Sequence, residues 1–454
     1  MSGFFVNKNK IEIMKAKFLI DTPPPTISGN LHIGHIFSYT QADIIAKYHK
    51  YKGEELLYPW CFDNNGIPTA KLANNKKIRG KENILDFSIK RSEQYLKTFN
   101  DCGIYFSEHN YHTFDDRSIQ IAYMAFERLK KKGIAYKKET EFMWCPKQKC
   151  SISQSELNDK GIIERSGEKP IIKKGEGWFI NIMDHIPQIR EKIEQINWRP
   201  IGFKKRIHNW CDKLEWDWSI SRERHYGIPI PGEEFETFDT WFISSLTPQL
   251  AWSSYTGEPS LDCPIFDMRY QSHDIIRTWA FYTIAMSYFL NNQIPWENLM
   301  ITGHTLDGNG DKFSKSSGNA TSAQPLLNKH KISGIRHWAS SSTLGNDICI
   351  DEEKMKMGWR IQNKLNNARK FIEMQKKNEW IGEDTSLINE WDKYKLEICD
   401  HFELYEIDKA QDKMYKFFWN KFCDKWIERS KKKSISSTLS IILDDFEKLF
   451  KIIY

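Results

Sequence analysis

Short apolar runs and longer stretches of helical periodicity alternate along the first part of this chain. Residues 16–20 form a strand-like run, and a helical pattern over residues 31–50 follows it after a turn rich in proline and glycine. Another apolar run, residues 55–62, ends at Asp63. Strands that alternate with helices predict a parallel sheet, whose ligands bind beyond the carboxyl ends of the strands.

The alternation returns later in the chain and then gives way to helices alone. Residues 267–270 and 298–302 have the pattern of strands on either side of a long apolar helix. Residues 358–374 and 408–430 have the spacing of amphipathic bundle helices. We therefore predict an α/β fold, a Rossmann-like doubly wound parallel sheet followed by an α-helical bundle.

This pattern divides the chain into four segments. The first half of the sheet domain occupies residues 1–144, and its second half occupies residues 178–320. Residues 145–177 connect the halves, and residues 321–454 form the helical region. The connection is too short to fold as a domain of its own.

The first candidate motif, His32-Ile33-Gly34-His35, opens the helical stretch that follows the first strand. Gly29 and Gly34 therefore lie where backbone can approach a phosphate at a helix start. Imidazoles on this turn can donate hydrogen bonds to phosphate oxygens as negative charge builds there. A histidine pair near a helix start is, however, more often a satisfied surface or core pair.

The second candidate motif lies far along the chain, in residues 312–316, and follows a glycine-rich loop. It supplies Lys312 and Lys315, whose ammonium groups can stabilise a triphosphate when the loop closes and release pyrophosphate when it opens. A loop of lysine and serine is usually only solvated. Both motifs in this order, each in its required structural context, make coincidence improbable.

With these two motifs the chain resembles the class I aminoacyl-tRNA synthetases, and within that family the valyl-tRNA synthetases of the archaeal type. The closer match is carried by residues 22–29, 37–43, 62–69, 216–222, 239–242 and 273–282. The resemblance implies an aminoacyl-tRNA ligase that activates valine, or a similar small branched amino acid, with ATP. Mg²⁺ is expected with the triphosphate, and tRNA is the expected acceptor.

The resemblance also assigns roles to residues of this chain. Its catalytic residues would be His32, His35, Lys312 and Lys315. Its ATP-binding residues would be Gly29, Gly34, His273, Asp274, Gly303, Ser314 and Ser316. Its amino-acid-binding residues would be Pro23, Pro24, Asp63, Trp241, Ile275 and Trp279. Two structural alternatives stay open: a carboxylate such as Asp63 can cap a turn, and aromatic residues at helical spacing are more often plain core.

Five positions or segments depart from the family pattern. Ser272 replaces a glycine, Asn64 replaces a common aspartate, and Ala70 stands where glutamate or glutamine is usual. The short connection implies that the inserted editing domain is absent. Cys145 and Cys150 remain from a zinc ribbon, but a structural zinc needs four ligands, so we expect no bound metal.

The carboxyl end stops early compared with the resembling enzymes, so recognition of an anticodon is in doubt. Arg429 and residues 431–433 make a basic cluster that can contact phosphate, although a solvated helix end is the simpler interpretation. Composition adds little: the net charge of +6 in 454 residues suits a polyanion only weakly. Nine scattered cysteines and the lack of a signal-like or membrane-spanning run predict a cytoplasmic protein.

The sequence thus predicts a compact valyl-tRNA synthetase-like enzyme without post-transfer editing. One alternative is a paralogue that supplies an adenylate or a charged tRNA to a partner protein in a specialised biosynthetic pathway. Another is a catalytically inactive module that binds tRNA.

Overall fold

The computed structural model describes residues 17–147, 150–152, 157–158, 160–163, 166–223, 226–234, 236–307, 310–311, 313, 323–375, 384–431 and 435–454. The strands in these ranges are β1 (Lys17–Asp21), β2 (Glu55–Leu57), β3 (Trp60–Phe62), β4 (Asn110–His112), β5 (Ala135–Cys145), β6 (Cys150–Ile152), β7 (Ile171–Ile180), β8 (Asn197–Arg199), β9 (Trp218–Ser219), β10 (Ser221–Glu223), β11 (Glu236–Phe238), β12 (Phe266–Ser272), β13 (Trp296–Thr302), β14 (Thr305–Leu306) and β15 (Ile348–Cys349). The helices are α1 (Ile33–Tyr51), α2 (Ile67–Asn75), α3 (Lys81–Asp101), α4 (Asp116–Lys131), α5 (Ile186–Gln195), α6 (Lys204–Lys213), α7 (Thr240–Ser244), α8 (Thr247–Thr256), α9 (Phe281–Asn291), α10 (Ala323–Ser340), α11 (Glu352–Gln375), α12 (Thr385–Glu403), α13 (Ile407–Lys416), α14 (Glu428–Ser430) and α15 (Ser436–Ile453).

A five-stranded parallel sheet, in the order β2-β1-β12-β13-β8, forms the centre of the molecule. The inner strands β1, β12 and β13 are largely buried, as a sheet covered by helices requires, and β12 alternates apolar residues with polar ones such as Arg269 and Gln271. β2 lies outside β1 on one side of the sheet, whereas β13 and then β8 lie outside β12 on the other side. This reversal leaves a crevice at the carboxyl ends of β1 and β12, and it confirms the predicted doubly wound fold.

The strand predicted over residues 55–62 is wrong in one respect, because it is two strands in two sheets. β2 pairs with β1 in the central sheet, whereas β3 pairs with β4 in a separate two-stranded sheet. Pro59 lies between them and has no N–H to donate to a ladder. Asp63 still follows a strand end, and it forms a bridge with Thr26 in the turn before α1.

The long helix predicted after β12 is also not a uniform α-helix. It begins with a 3₁₀ turn, His273–Ile275, continues as a π-helical turn, Ile276–Ala280, and becomes regular only in α9. Such π turns are frequent at functional sites. Ile275 and Trp279 therefore do not lie on one regular α-helix, although both residues line the same cavity.

The connecting segment is a β-ribbon. Ten residues of β5 pair antiparallel with ten residues of β7, from Ala135 against Ile180 to Trp144 against Ile171. The charged stretch predicted as a simple link thus includes the first part of β7. Cys145 is buried in a small apolar cluster with Ile152 and Ile163. Within the described ranges no three His, Cys, Asp or Glu side chains gather as a metal site.

The helical region confirms the predicted bundle. The pattern over residues 358–374 lies within α11, and the pattern over 408–430 covers α13, a π-helical segment (Phe417–Ile427) and α14. Aromatic rings of Trp391 on α12, Phe417 in the π-helical segment and Phe446 on α15 pack together. Among the helices described, none is long and apolar enough to cross a membrane.

Arg336 joins the two regions of the fold. Its buried guanidinium pairs with Asp43 of α1 at 2.7 Å. It also donates to the carbonyl oxygens of Ile452 and Ile453 at the end of α15, at 3.1 and 2.5 Å, and to Gly103 O at 3.0 Å. One side chain therefore holds α1, the end of α3 and the carboxyl terminus together.

Replacing Arg336 by alanine should destabilise the protein by about 3 kcal/mol, because it removes the fully buried partner of Asp43, which then keeps only Lys47 as an ion-pair partner in the described structure, and leaves three backbone carbonyls without their donor. The measurement is urea unfolding followed by circular dichroism. Lys356→Ala, which breaks an exposed pair with Glu353, is the control and should cost less than about 1 kcal/mol. Equal effects of the two substitutions would contradict this role for Arg336.

Candidate functional site

A cavity of about 770 Å³ opens at the carboxyl ends of β1 and β12. Its walls come from the turn before α1, the first turn of α1, α2, the segment after β12 and the β13–β14 connection. Of the predicted site residues, the structure brings together Pro23, Pro24, His32, Gly34, His35, Asp274, Ile275, Trp279 and Gly303 in these walls. Lys312, Ser314, Lys315 and Ser316 lie outside the described residues.

The two motif histidines form a capping box at the start of α1. His32 is the N-cap residue, and its side chain accepts a hydrogen bond from Gly34 N at 3.2 Å. His35 Nδ1 accepts in turn from His32 N at 3.4 Å. Because each Nδ1 is an acceptor, each proton of the neutral rings resides on Nε2. The first turn carries no acidic residue, so the helix start offers donors and positive potential to an anion.

Two glycines in the walls permit close backbone contacts. A Cβ at Gly34 would lie 2.8 Å from Thr305 Oγ1 and 2.9 Å from His32 Nδ1. A Cβ at Gly303 would lie 1.9 Å from the carbonyl oxygen of Asn346. Gly34 therefore lets β14 approach the start of α1, and Gly303 lets β13 end against the loop before β15.

Gly29 is not in the cavity wall. Its φ of 152° favours glycine, and its carbonyl accepts hydrogen bonds from Arg91 and Tyr95 on α3. Arg91 also binds the side chain of Asn30 at 2.8 Å. These contacts fix the turn that leads into His32.

Asp63 is 3% exposed and lies behind the wall rather than in it. Its carboxylate accepts hydrogen bonds from the hydroxyls of Thr113 and Thr240 at 3.2 and 3.3 Å. Thr26, which lines the cavity, is 3.5 Å away. Backbone bonds to Pro25 O and from Ile27 N hold the same residue to the turn before α1. No helix cap formed by Asp63 is found among the described residues.

Trp241 and Trp279 meet edge to face, with their ring centroids 4.9 Å apart. Trp279 lines the cavity and donates from Nε1 to Ser244 O at 3.0 Å, whereas Trp241 stands behind it. A buried pair of Arg222 and Asp239 supports this arrangement at 2.8 Å, because Asp239 also caps α7, which carries Trp241.

His273 points away from the cavity. Arg206 lies 3.1 Å from its Nδ1, and Asp347 lies 3.0 Å from its Nε2. Asp347 also accepts from His304 N at 2.7 Å. Burial raises the pKa of Asp347, but this backbone N–H and His273 outweigh it and hold the pKa below its usual value. His273 thus anchors the wall, and Asp274 beside it lines the cavity at its exposed rim.

The three substituted positions differ in their surroundings. Ser272 lines the cavity, and its hydroxyl lies 3.1 Å from His304 Nδ1. Asn64 is buried outside the cavity wall, where its amide nitrogen lies 3.3 Å from both Ser88 Oγ and His112 Nδ1. Ala70 packs against the apolar core. Only the first substitution changes a group in the wall.

Gln271 is a wall residue that the sequence reasoning missed. It is 1% exposed and lines the cavity. Neither its Oε1 nor its Nε2 has a hydrogen-bond partner among the described residues. No distinct signal for it was present in the sequence, because polar and apolar residues alternate along β12. Phe313, in the second motif, also lines the cavity and donates from its backbone N–H to Thr305 O at 3.2 Å.

Comparison with known families gives two matches. Residues 1–233 and 232–351 match the family described as tRNA synthetases class I (I, L, M and V). Residues 384–454 match the anticodon-binding domain of tRNA ligase.

Among individual relatives, a valine–tRNA ligase of Ehrlichia ruminantium (strain Gardel) is 27% identical, over 95% of this chain and 80% of its own. A valine–tRNA ligase of Wolbachia pipientis wMel is 25% identical, over 93% and 80%. The Ehrlichia alignment spans 649 positions, more than the 454 residues of this chain. The chain therefore lacks residues that the relative carries within the aligned region, in keeping with its missing editing domain.

Solved structures show the same fold. Mycobacterium tuberculosis methionyl-tRNA synthetase with methionyl-adenylate has a TM-score of 0.76 at 17% identity, covering 96% of this chain and 89% of that one. A ternary complex of an Agrobacterium radiobacter leucyl-tRNA synthetase with tRNA and LeuAMS has a TM-score of 0.83 at 14% identity, covering 97% and 84%.

Because the carboxamide of Gln271 is buried without a hydrogen-bond partner among the described residues, we predict that it binds a ligand and that it lowers the stability of the protein without that ligand. Gln271→Met should leave the free energy of unfolding unchanged or raise it, and weaken ATP binding about tenfold. Urea unfolding with and without ATP measures both effects. Gln249→Met is the matched control, because Gln249 is buried and unpaired in the described structure but does not line the cavity. Equal ATP binding by the two variants would contradict the prediction.

Proposed function

Because the chain belongs to the class I tRNA synthetases, and is thus an ATP-dependent aminoacyl-tRNA ligase, we propose that it activates valine and transfers it to tRNA without editing. The observation that carries this proposal is the cavity at the sheet's reversal point, where the capping-box histidines face the remaining predicted wall residues. Its reaction would join the valine carboxylate to the α-phosphate of ATP and release pyrophosphate. A ribose hydroxyl of tRNA would then attack the carbonyl carbon of the valyl-adenylate, form the ester and release AMP.

For the phosphate chemistry we assign the Nε2–H groups of His32 and His35 as donors to phosphate oxygens. Their orientation by backbone bonds supports this role, because a preorganised donor needs no reorientation when charge develops. Lys312 and Lys315 would neutralise the leaving pyrophosphate. Mg²⁺ would arrive on the triphosphate oxygens and lower their charge, since it needs few protein ligands there.

For the amino acid, we propose that Asp63 pairs with the ammonium group. Its burial and its orientation by two threonine hydroxyls support this role. Pro23, Pro24, Ile275 and Trp279 would bound the side-chain slot, with Trp241 behind them. A slot with rigid rings favours a small branched side chain, and the valine ligases among the relatives favour valine.

The match of residues 384–454 to an anticodon-binding domain supports tRNA as the acceptor. The missing editing domain favours a second candidate, a paralogue that supplies an adenylate or charged tRNA to a specialised pathway. A catalytically inactive module is less well supported, because the two motif histidines are present and oriented in the cavity wall.

Pyrophosphate exchange into ATP with a panel of amino acids, followed by charging of total tRNA, tests the proposal. We expect exchange with valine and acid-precipitable valyl-tRNA. Exchange without charging would favour the adenylate-supplying paralogue. No exchange with any amino acid would overturn the proposal.

The double role of His32 gives a specific prediction. His32→Asn should keep α1 capped, because asparagine is a favourable N-cap residue, and should lower the exchange rate about 100-fold or more by removing one phosphate donor. His32→Ala should lower the exchange rate by a similar factor and should also lower the free energy of unfolding by about 1 kcal/mol. Full exchange activity in the asparagine variant would mean that His32 only caps the helix.

The absence of editing predicts measurable mischarging. Valine enzymes reject threonine only about a hundredfold at activation, a value known for this kind of enzyme rather than obtained from this structure. We expect threonyl-tRNA to form at about that relative efficiency and to persist beside the enzyme. Charging assays with labelled threonine, followed by a chase with fresh enzyme, measure both. Rapid hydrolysis of threonyl-tRNA by the enzyme would contradict the prediction.

A further inference from the structure

A run of cations without acids lies between Asp63 and Glu82. It contains Lys71, Lys76, Lys77, Arg79 and Lys81, all of them exposed. We call these five residues the basic ridge. Elsewhere on the described surface, cations form ion pairs with nearby acids, as Lys97 does with Asp101. No ridge side chain forms an ion pair within the described structure, so its field is uncompensated.

The ridge begins at the mouth of the catalytic cavity. Lys71 and Asn75 on α2 line the cavity, and Lys76 caps the end of that helix. The axial rise from Lys71 to Lys76 is about 7.5 Å, so the cations are spread along the mouth, and the ridge residues after Lys71 are not in the cavity wall.

Two ridge residues stand where local structure disfavours them. Lys77 adopts a φ of 63°, a left-handed conformation that glycine or asparagine adopts with less strain. Lys81 is the first residue of α3, where the helix dipole disfavours a cation. Its side chain packs over the Phe114 ring, 5.1 Å from the centroid. Helix stability therefore does not explain these charges, and sites that break local rules are expected to serve a function.

We propose that the basic ridge binds the phosphate backbone of the single-stranded 3′ end of tRNA as that end enters the cavity. The inference rests on the proposed transfer to tRNA and adds the surface that guides the acceptor. A polyanion must reach the adenylate through this mouth, and lysine and arginine side chains bind phosphates without reading sequence. ATP alone needs no cations outside the cavity.

The test removes three charges and leaves the cavity residues intact. The variant is Lys76→Gln with Lys77→Asn and Arg79→Gln, in which asparagine suits the left-handed position. Pyrophosphate exchange with valine should stay within about twofold of wild type, because it needs no tRNA. Binding of a tRNA transcript with a valine anticodon, followed by fluorescence anisotropy, should weaken about tenfold or more, and the slope of log affinity against log salt should fall by about 2.

Two controls separate charge from structure and position. Lys76→Arg with Arg79→Lys keeps the charges and should bind as wild type does. Lys97→Gln removes a cation on α3 that is already paired with Asp101, and it should change neither binding nor exchange. A transcript that lacks its single-stranded 3′ end should bind wild type and triple variant equally.

Each result decides between specific readings. If the triple variant binds and charges tRNA as wild type does, the ridge is not the tRNA surface, and the proposed function stands. If the two proteins still differ on the shortened transcript, the ridge contacts another part of tRNA and the proposal for the 3′ end is overturned. If wild type exchanges pyrophosphate but binds no tRNA, both the ridge and the transfer step are overturned, while activation stands.

Discussion

The buried pair of Arg336 and Asp43 is the constraint on which the arrangement of this molecule depends. Asp43 lies on α1, the helix whose first turn carries both motif histidines, and Arg336 lies on α10, the first helix after the second motif. Two charges of this kind are costly to bury unless every donor finds an acceptor. Arg336 meets this condition with backbone carbonyls at the end of α15 and at Gly103. The position of α1 is therefore tied to complete docking of the helical region.

The start of α1 shows how one set of bonds can serve both folding and chemistry. A helix start leaves backbone N–H groups without partners, and here two imidazole nitrogens satisfy them. The same bonds fix which nitrogen of each ring carries the proton. The turn before the helix is held in turn by Arg91 and Tyr95 through Gly29. One local hydrogen-bond network thus sets the cap of α1, the tautomers of His32 and His35, and the position of the turn before them.

Much of this site could be predicted from sequence, because motif, strand end and helix start coincide at His32, His35 and the walls near Gly303. The rest depended on contacts between distant segments. Nothing in the local sequence shows that His273 turns outward to Asp347, or that Asp63 and Trp241 stand behind the wall. Pro59 could have signalled the break between β2 and β3, since proline lacks a donor. The π turn before α9 has no comparable signal, so the geometry of Ile275 and Trp279 followed only from the structure.

Two of the positions expected to depart from the family pattern have polar neighbours within hydrogen-bond distance. The hydroxyl that Ser272 adds to the wall lies beside His304, whose backbone is bound to Asp347 and so to His273. Asn64 finds Ser88 and His112 where an aspartate would add a buried charge. A buried polar group is tolerated when it has hydrogen-bond partners. The neighbouring wall residue Gln271 differs from Ser272 and Asn64, since its carboxamide has no hydrogen-bond partner among the described residues. An uncompensated polar group in a cavity wall is most simply explained by a ligand that supplies the missing partners.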